Sequence, residues 1–491
     1  MNSNLFLRLI FYFLLVFCNN FLLSNELTIS KLEQSIDSCY PKILNASIQQ
    51  EIAEAKVKQN QSPFDTHLNG YTSQRQGANY NTQYQKVELE KRFYDSPISV
   101  YSGYDISSGY APQYEGSQIT SNQGREFVGL RLNLLNGFAI DKERLTLYNS
   151  VLETDKAKLE VKLAKLLIKT DAMKAYIAWI ISGEQLNAYK DLFEIANRRQ
   201  KALERKFKAG DVAKIVLTEN QNNLLKRKTR VISAENTFNK NALSLSLYSR
   251  DSQCKLVTPS LANLPKLVPA PESVKDTMDN VKINEAIKNR PEFKIIDVQL
   301  KSIENEQRYA KTENLPKLKA TVQYNQNNSQ IATTPNFTVN QNELVAKLEF
   351  SMPLERSYGS GLDREAYKKL SKLRNERQFL IDQVSTKLNT LYITVNSTAD
   401  QVSLVKSELQ FSRDLLKAEN SRFNNGDSSF FMLNTREENL TNSYLSLLNY
   451  LLDNYNAYIE YNFLNGNNVN LTNIYNFNIY KGLNFKKLWS N

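Results

Sequence analysis

Glycine and proline are scarce, with 15 and 12 in 491 residues. That is too few for a disordered or loop-rich chain and fits long uninterrupted helices. Histidine occurs once, as His67 in a strand-like run, and cysteine three times, as Cys18, Cys39 and Cys254, so no ligand set for a metal is visible. No glycine-rich phosphate loop occurs, and the carboxylates are scattered along helical patterns rather than gathered beside a nucleophile or base. These absences count against an enzyme, a metal centre and a cofactor site. Long apolar runs are also missing: after residue 24 nothing approaches the ~18 residues of a spanning helix, and the best stretch is Tyr176 to Ile181. With 41% hydrophobic residues and a mean hydropathy of −0.49, the chain is no bundle of membrane helices. Any membrane crossing must use strands in a closed barrel, because lipid offers no partners to open backbone edges.

The first 24 residues carry a single charge, Arg8, and an apolar run from Leu9 to Phe17. They read as a secretory signal peptide spanning 1–24, with Leu22-Leu23-Ser24 before the cleavage point. Cys18 follows Phe17 instead of the small residue that precedes a lipid-attachment cysteine, so it is read as part of the discarded signal. The formal charge is +11, but Lys and Arg are spread beside Glu and Asp, the pattern of solvated helix faces. No nucleic-acid partner is expected.

What is present is a duplication. Lys206-Phe207-Lys208-Ala209-Gly210-Asp211 and Arg422-Phe423-Asn424-Asn425-Gly426-Asp427 share a basic residue, an aromatic and a turn glycine, 216 positions apart. Each lies between two long heptad-patterned segments. Leu159, Leu163, Leu166, Thr170, Met173, Ile177 and Ile180 form one coiled-coil seam, and Val384, Leu388, Leu391, Val395, Ala399 and Val402 another. Helices of about 100 Å are expected at ~1.5 Å per residue. Gly183 is a lone interruption that either kinks or weakens the first.

The organisation read from these patterns is a first repeat over 25–250, a proline-rich linker over 251–280, a second repeat over 281–464 and an Asn-rich tail over 465–491. In the first repeat a helix over 26–62 ends at Pro63, strands occupy about 64–136, and a hairpin runs from Asp141 to about 250 with its tip near 210. In the second, a helix over 281–314 ends at Pro316, strands occupy about 317–352, and a hairpin runs from Asp363 to about 463 with its tip near 426. Alternation at Gln85 to Tyr94 and at Val128, Leu130, Leu132 and Leu134 supplies the strand signal. Pro63 to Asp141 is 78 residues and Pro316 to Asp363 is 47, so the first copy has 31 more in its strand region. The segment from Pro97 to Tyr114 is the expected insertion. Cys39 and Cys254 lie near opposite ends of the first repeat, where a hairpin can bring them together; in an oxidising compartment they are candidates for a disulfide.

Several short motifs fall in one order. They are Asn133-Leu134-Leu135-Asn136-Gly137, Asn289-Arg290-Pro291-Glu292-Phe293, Asn314-Leu315-Pro316, Ser351-Met352-Pro353-Leu354 followed by Gly359 and Gly361, and Arg422-Phe423-x-x-Gly426. Together they resemble the TolC-type outer-membrane efflux and export channels over nearly the whole mature chain. The resemblance implies a mainly α fold with membrane β-structure: a duplicated helix–strand–helical-hairpin repeat, trimerised into an outer-membrane β-barrel that continues as a periplasmic coiled-coil tunnel. It implies four strands per protomer and twelve per barrel. The surplus over 75–124 leaves two readings open, a larger barrel or a plug or loop outside it. Tyr71, Tyr94, Tyr101, Phe127 and Tyr324 are either aromatic girdles of the barrel or ordinary sheet residues.

The resemblance also implies partners: two further copies of the chain, outer-membrane lipid, a periplasmic adaptor and an inner-membrane transporter. Phe207, Gly210, Asp211, Arg422, Phe423, Gly426 and Asp427 fall at the adaptor-docking tips. Family members narrow the entrance with aspartates a few residues after each glycine; here Val216, Met432 and Thr435 stand at those places. Either the constriction is apolar, or Asp211 and Asp427 supply negative charge nearer the mouth. A soluble periplasmic coiled-coil scaffold is the alternative function. The aromatic-rich alternation placed equivalently in both repeats counts against it.

Overall fold

A computed structural model describes residues 26–466 apart from 78–79, 111–119, 121–122, 266–272, 275–278, 329–330, 335–336 and 340–341. The expected signal peptide, Cys18 and all but the first two residues of the tail lie outside the described residues. In chain order the elements are α1 (Ile29–Cys39), α2 (Pro41–Gln61), β1 (Thr66–Gly77), β2 (Tyr80–Arg92), β3 (Ile98–Tyr110), β4 (Arg125–Asn133), α3 (Lys142–Lys208) and α4 (Lys214–Ser246). There follow α5 (Asn280–Asn289), α6 (Pro291–Glu313), β5 (Lys317–Asn327), β6 (Ile331–Thr334), β7 (Phe337–Val339), β8 (Asn342–Ser351), α7 (Ser357–Asn424) and α8 (Phe430–Leu464). None of the described helices is long and apolar enough to cross a membrane.

Two helices expected as single pieces are each broken. Tyr40 (φ −79°, ψ 119°) separates α1 from α2, and Arg290 (φ −74°, ψ 133°) separates α5 from α6. Each stands before a proline, whose ring pushes the preceding residue out of the helical region. α7 begins at Ser357, not at Asp363, so Gly359 and Gly361 lie inside its first turns. By contrast α3 starts where a cap is expected: Asp141 Oδ1 accepts from the backbone N–H of Arg144 at 2.9 Å.

Chain contacts divide the molecule into two compact units. Of the described residues, one contains those in Ala46–Val161 and Pro291–Leu380; the other contains those up to Asn45, in Lys162–Arg290 and from Ile381 onward.

The first unit is built on a six-stranded antiparallel sheet in the order β1-β2-β3-β4-β5-β8, with β6-β7 a separate two-stranded ribbon. Among the described residues six strands replace the four implied by the resemblance, and the described strands of the first repeat's surplus, β2 and β3, are part of the sheet. Register decides the two faces. One carries Leu68, Leu89, Val128, Tyr324 and Leu344 along a single row and Leu130 and Val322 along another; all of these are exposed. The opposite face is polar. Arg125 binds Asp105 through two hydrogen bonds (3.0 and 2.6 Å), Tyr84 donates to Asp105 (3.0 Å), and Arg131 pairs with Glu88 and Glu90 at 3.1 and 2.7 Å. Of the five aromatics expected at the girdles, Tyr71, Tyr101 and Phe127 stand on this polar face, the last two buried, while Tyr324 is on the apolar one. A one-residue difference in register exchanges the two faces, which alternation alone could not assign for aromatics.

The second unit is helical. Its core centres on the middle of α3, where Met173, Tyr176, Ile177, Trp179, Ile180 and Ile181 are buried among Phe238, Leu245, Tyr444, Leu447 and Leu448. Gly183 does not break α3. A Cβ there would stand 2.5 Å from Leu264 Cδ1, so the glycine admits a side chain of the inter-repeat segment. Buried Asn454 of α8 donates to Val395 O and Thr398 Oγ1 of α7, each at 3.0 Å. Cys39 and Cys254 are joined in a disulfide with Cα atoms 5.2 Å apart.

Candidate functional site at the hairpin tips

Both tips lie in the helical unit and use one backbone device. At the end of α3 the Gly210 N–H donates to Phe207 O (3.0 Å) and the Asp211 N–H to Lys206 O (2.9 Å). At the end of α7 the Gly426 N–H donates to Phe423 O (3.1 Å) and the Asp427 N–H to Arg422 O (2.9 Å). These are two Schellman caps, which need a left-handed residue just past the helix. Gly210 and Gly426 supply it with φ of +86° and +83°. Among the described residues nothing lies within 4 Å of a Cβ added at either, so backbone conformation and not crowding calls for glycine.

Phe207, Asp211, Arg422 and Asp427 are exposed, and Phe423 is half-buried with its ring 6.3 Å from that of Phe430. Arg422 also donates to the Asp427 carbonyl (3.2 Å), bracing the second turn. Each returning helix then presents apolar groups to solvent, Ile215 on α4 and Phe431 and Met432 on α8. Val216 and Met432 are each the third residue of their helix. Thr435 directs its hydroxyl to Phe431 O (3.0 Å).

Behind the tips lies a charged cluster that the sequence reading missed. Glu437 of α8, 1% exposed, accepts from Arg227 of α4 at 2.8 Å and from Arg199 of α3 at 3.1 Å, with a second, shorter contact to Arg199. Arg199 also donates to Asn434 Oδ1 (3.1 Å), and Arg227 to Leu192 O (3.2 Å). Three helices from both hairpins are thereby tied at one carboxylate. A cavity of about 350 Å³ opens beside it, lined in part by Arg198, Arg199, Arg413, Lys417 and Glu437. The signal was present in the heptad Phe430, Leu433, Glu437, Leu440, Tyr444, Leu447, where a charge occupies a seam position. Nearer the turn, Glu419 accepts from Ser428 and pairs with Arg436; the Ser428 hydrogen bond holds its carboxyl below the usual range.

No family model matches the chain, and no curated protein sequence matches it. Solved structures do. The outer-membrane channel OprN aligns with a TM-score of 0.63 at 11% identity, over 89% of this chain and 89% of that one. The Campylobacter jejuni CmeC outer membrane channel aligns at 0.60 and 13% identity, over 89% and 85%. The open state of the Neisseria gonorrhoeae MtrE outer membrane channel aligns at 0.61 and 11%, over 89% and 89%. The fold of this chain is that of the TolC-type outer-membrane efflux channels. At such identities the likeness is one of fold.

Proposed function

We propose that this chain is the outer-membrane channel of a tripartite efflux or type I secretion system. Three copies would close their sheets into one barrel and their hairpins into a periplasmic tunnel, giving passive passage once an adaptor and an inner-membrane transporter dock. The observation that carries this reading is the sheet itself. Its apolar face is exposed while its opposite face is an ion-paired polar wall, the pattern of a barrel facing lipid outside and water within. A soluble scaffold has no use for such a face.

Further support comes from helix faces that none of the described residues covers. Ile393, Leu404 and Phe411 on α7 and Ile215, Leu225 and Ile232 on α4 are all exposed, at spacings that keep them near one side of each helix. Neighbouring copies would bury these stripes. The paired Schellman tips, with exposed Phe207, Ile215 and Phe431 around two uncrowded glycines, suit docking by helical hairpins of an adaptor. Within the tunnel, Val216, Met432 and Thr435 would line a constriction without fixed charge, and Asp211 and Asp427 would place six carboxylates at the mouth.

The test is fractionation followed by capture. Cysteines placed at Ala209 or Asn425 and crosslinked in cells should trap a periplasmic adaptor from an outer-membrane fraction whose trimer is heat-modifiable. A chain found only in the soluble fraction, with no adaptor captured, would overturn the reading. For the mouth, multivalent cations should block the wild-type channel more tightly than an Asp211→Ala/Asp427→Ala variant; equal block would remove the carboxylates from the gate.

A further inference from the structure

We infer that the barrel of this protein has eighteen strands, closed by pairing β1 of each protomer with β8 of its neighbour. The inference rests on the trimer reading above and assigns the additional described strands of the first repeat to the wall, which they widen, instead of to a plug or an outer loop.

Four observations place the β1–β2 hairpin in the wall. First, pairing is unbroken, from Thr66↔Lys91 to Gly77↔Tyr80 between β1 and β2, and from Asn81↔Tyr110 to Arg92↔Ser99 between β2 and β3. Second, both faces continue into it. Val87 and Leu89 extend the exposed apolar face, and Glu88 on β2 reaches across β3 to Arg131 on β4 at 3.1 Å. Third, the β2–β3 turn is fastened to the start of α3. The Arg144 guanidinium, buried, donates to Tyr94 O and Gly137 O (3.0 Å each), to Phe93 O (3.3 Å) and to Ser96 O. A loose plug has no need of such an anchor. Fourth, β1 and β8 end the sheet; β8 is exposed along its length and β1 at every residue except half-buried Ser73.

The occupant of those edges is a second copy. An open edge in lipid leaves backbone groups without partners, so the edges must be paired there. Six is an even number of antiparallel strands, so β1 and β8 run in opposite directions and join antiparallel around a three-fold ring. Their lengths correspond, 12 and 10 residues. Matching polar face to polar face restricts the register to those that set odd-numbered residues of β1 against odd-numbered residues of β8. Diameter grows roughly linearly with strand number, so the pore wall is about 1.5 times as wide as one of twelve strands.

Inter-subunit disulfide mapping in the membrane tests this. Asn69→Cys on β1 is combined in turn with Val345→Cys, Lys347→Cys and Glu349→Cys on β8; parallel variants carry Ser99→Cys on β3 with the same three. The expected result is an oxidised trimer with at least one Asn69 combination and none with Ser99. A trimer crosslinked through Ser99 alone would overturn the eighteen-stranded wall while leaving the trimer intact. A chain that forms no trimer in detergent would defeat the trimer reading and this inference with it. A nitroxide at Leu89→Cys gives an independent readout. Collisions with oxygen exceeding those with a water-soluble nickel complex place β2 against lipid, and the reverse places the hairpin in water and overturns the inference.

Discussion

Arg227 on the first hairpin donates to Glu437 on the second at 2.8 Å, with both side chains buried, and Arg199 holds the same carboxylate from α3. Two guanidiniums on one carboxylate leave an excess positive charge inside the bundle if that carboxylate is lost. Breaking a buried pair from one side costs about 3–5 kcal/mol, far more than an exposed pair contributes. Glu437→Ala is therefore expected to lower the thermal midpoint in detergent by several degrees. It should also raise resting conductance, because the same contact ties one hairpin to the other. A variant as stable and as closed as wild type would show the cluster to be incidental.

The tip glycines are expected to respond to backbone conformation and not to volume. Ala at Gly210 or Gly426 places a Cβ-bearing residue in the left-handed region, at about 1–2 kcal/mol each. Asn tolerates that region better and should recover part of the loss. Amide exchange over 205–212 and 421–428 reads the effect locally: faster for Ala, intermediate for Asn. Equal exchange in all three proteins would contradict the cap assignment.

The bridge between Cys39 and Cys254 spans a sequence separation of 215 residues. Closing so long a loop restricts the unfolded chain, and its removal typically costs about 2–5 kcal/mol. The paired Cys39→Ala/Cys254→Ala variant should unfold at lower denaturant concentration, and reductant should bring wild type to the same midpoint. No difference under either treatment would mean the bridge contributes nothing.

Glu184 gives a pH signature. Burial raises its carboxyl above the usual range, the nearby Asp191 charge adds to this, and a hydrogen bond from Tyr444 opposes it. The folded chain therefore holds this proton more tightly than the unfolded chain. Stability contributed by the group falls as pH rises from the ordinary carboxylate value through the raised folded one. Glu184→Gln should unfold at a higher temperature than wild type near neutrality, with the difference vanishing in acid where both forms are neutral. A difference that grows in acid would reverse the sign and refute the assignment.

The duplication, the coiled-coil seams and the turn glycines were legible because each leaves a local trace. Buried Met173, Ile177, Ile180, Leu388 and Val395 occupy the heptad positions read from the chain. Pro41 and Pro291 carried the helix breaks openly, but the apolar spacing on either side masked them. Gly183 was ambiguous because its reason, Leu264, lies far along the chain. The strand count was beyond reach for another reason: alternation marks strands without saying which join one sheet. The Glu437 cluster was hidden within Arg436-Glu437-Glu438, a run that reads as solvated helix face until its seam position is noticed.

Reconstitution of the purified, detergent-solubilised protein in planar bilayers shows whether copies of this chain join into a conducting pore. The expected result is a heat-modifiable trimer that inserts as discrete channels, low in conductance at rest and higher for Glu437→Ala. A protein that stays monomeric, dissolves without detergent and gives no channel events with either form would contradict it.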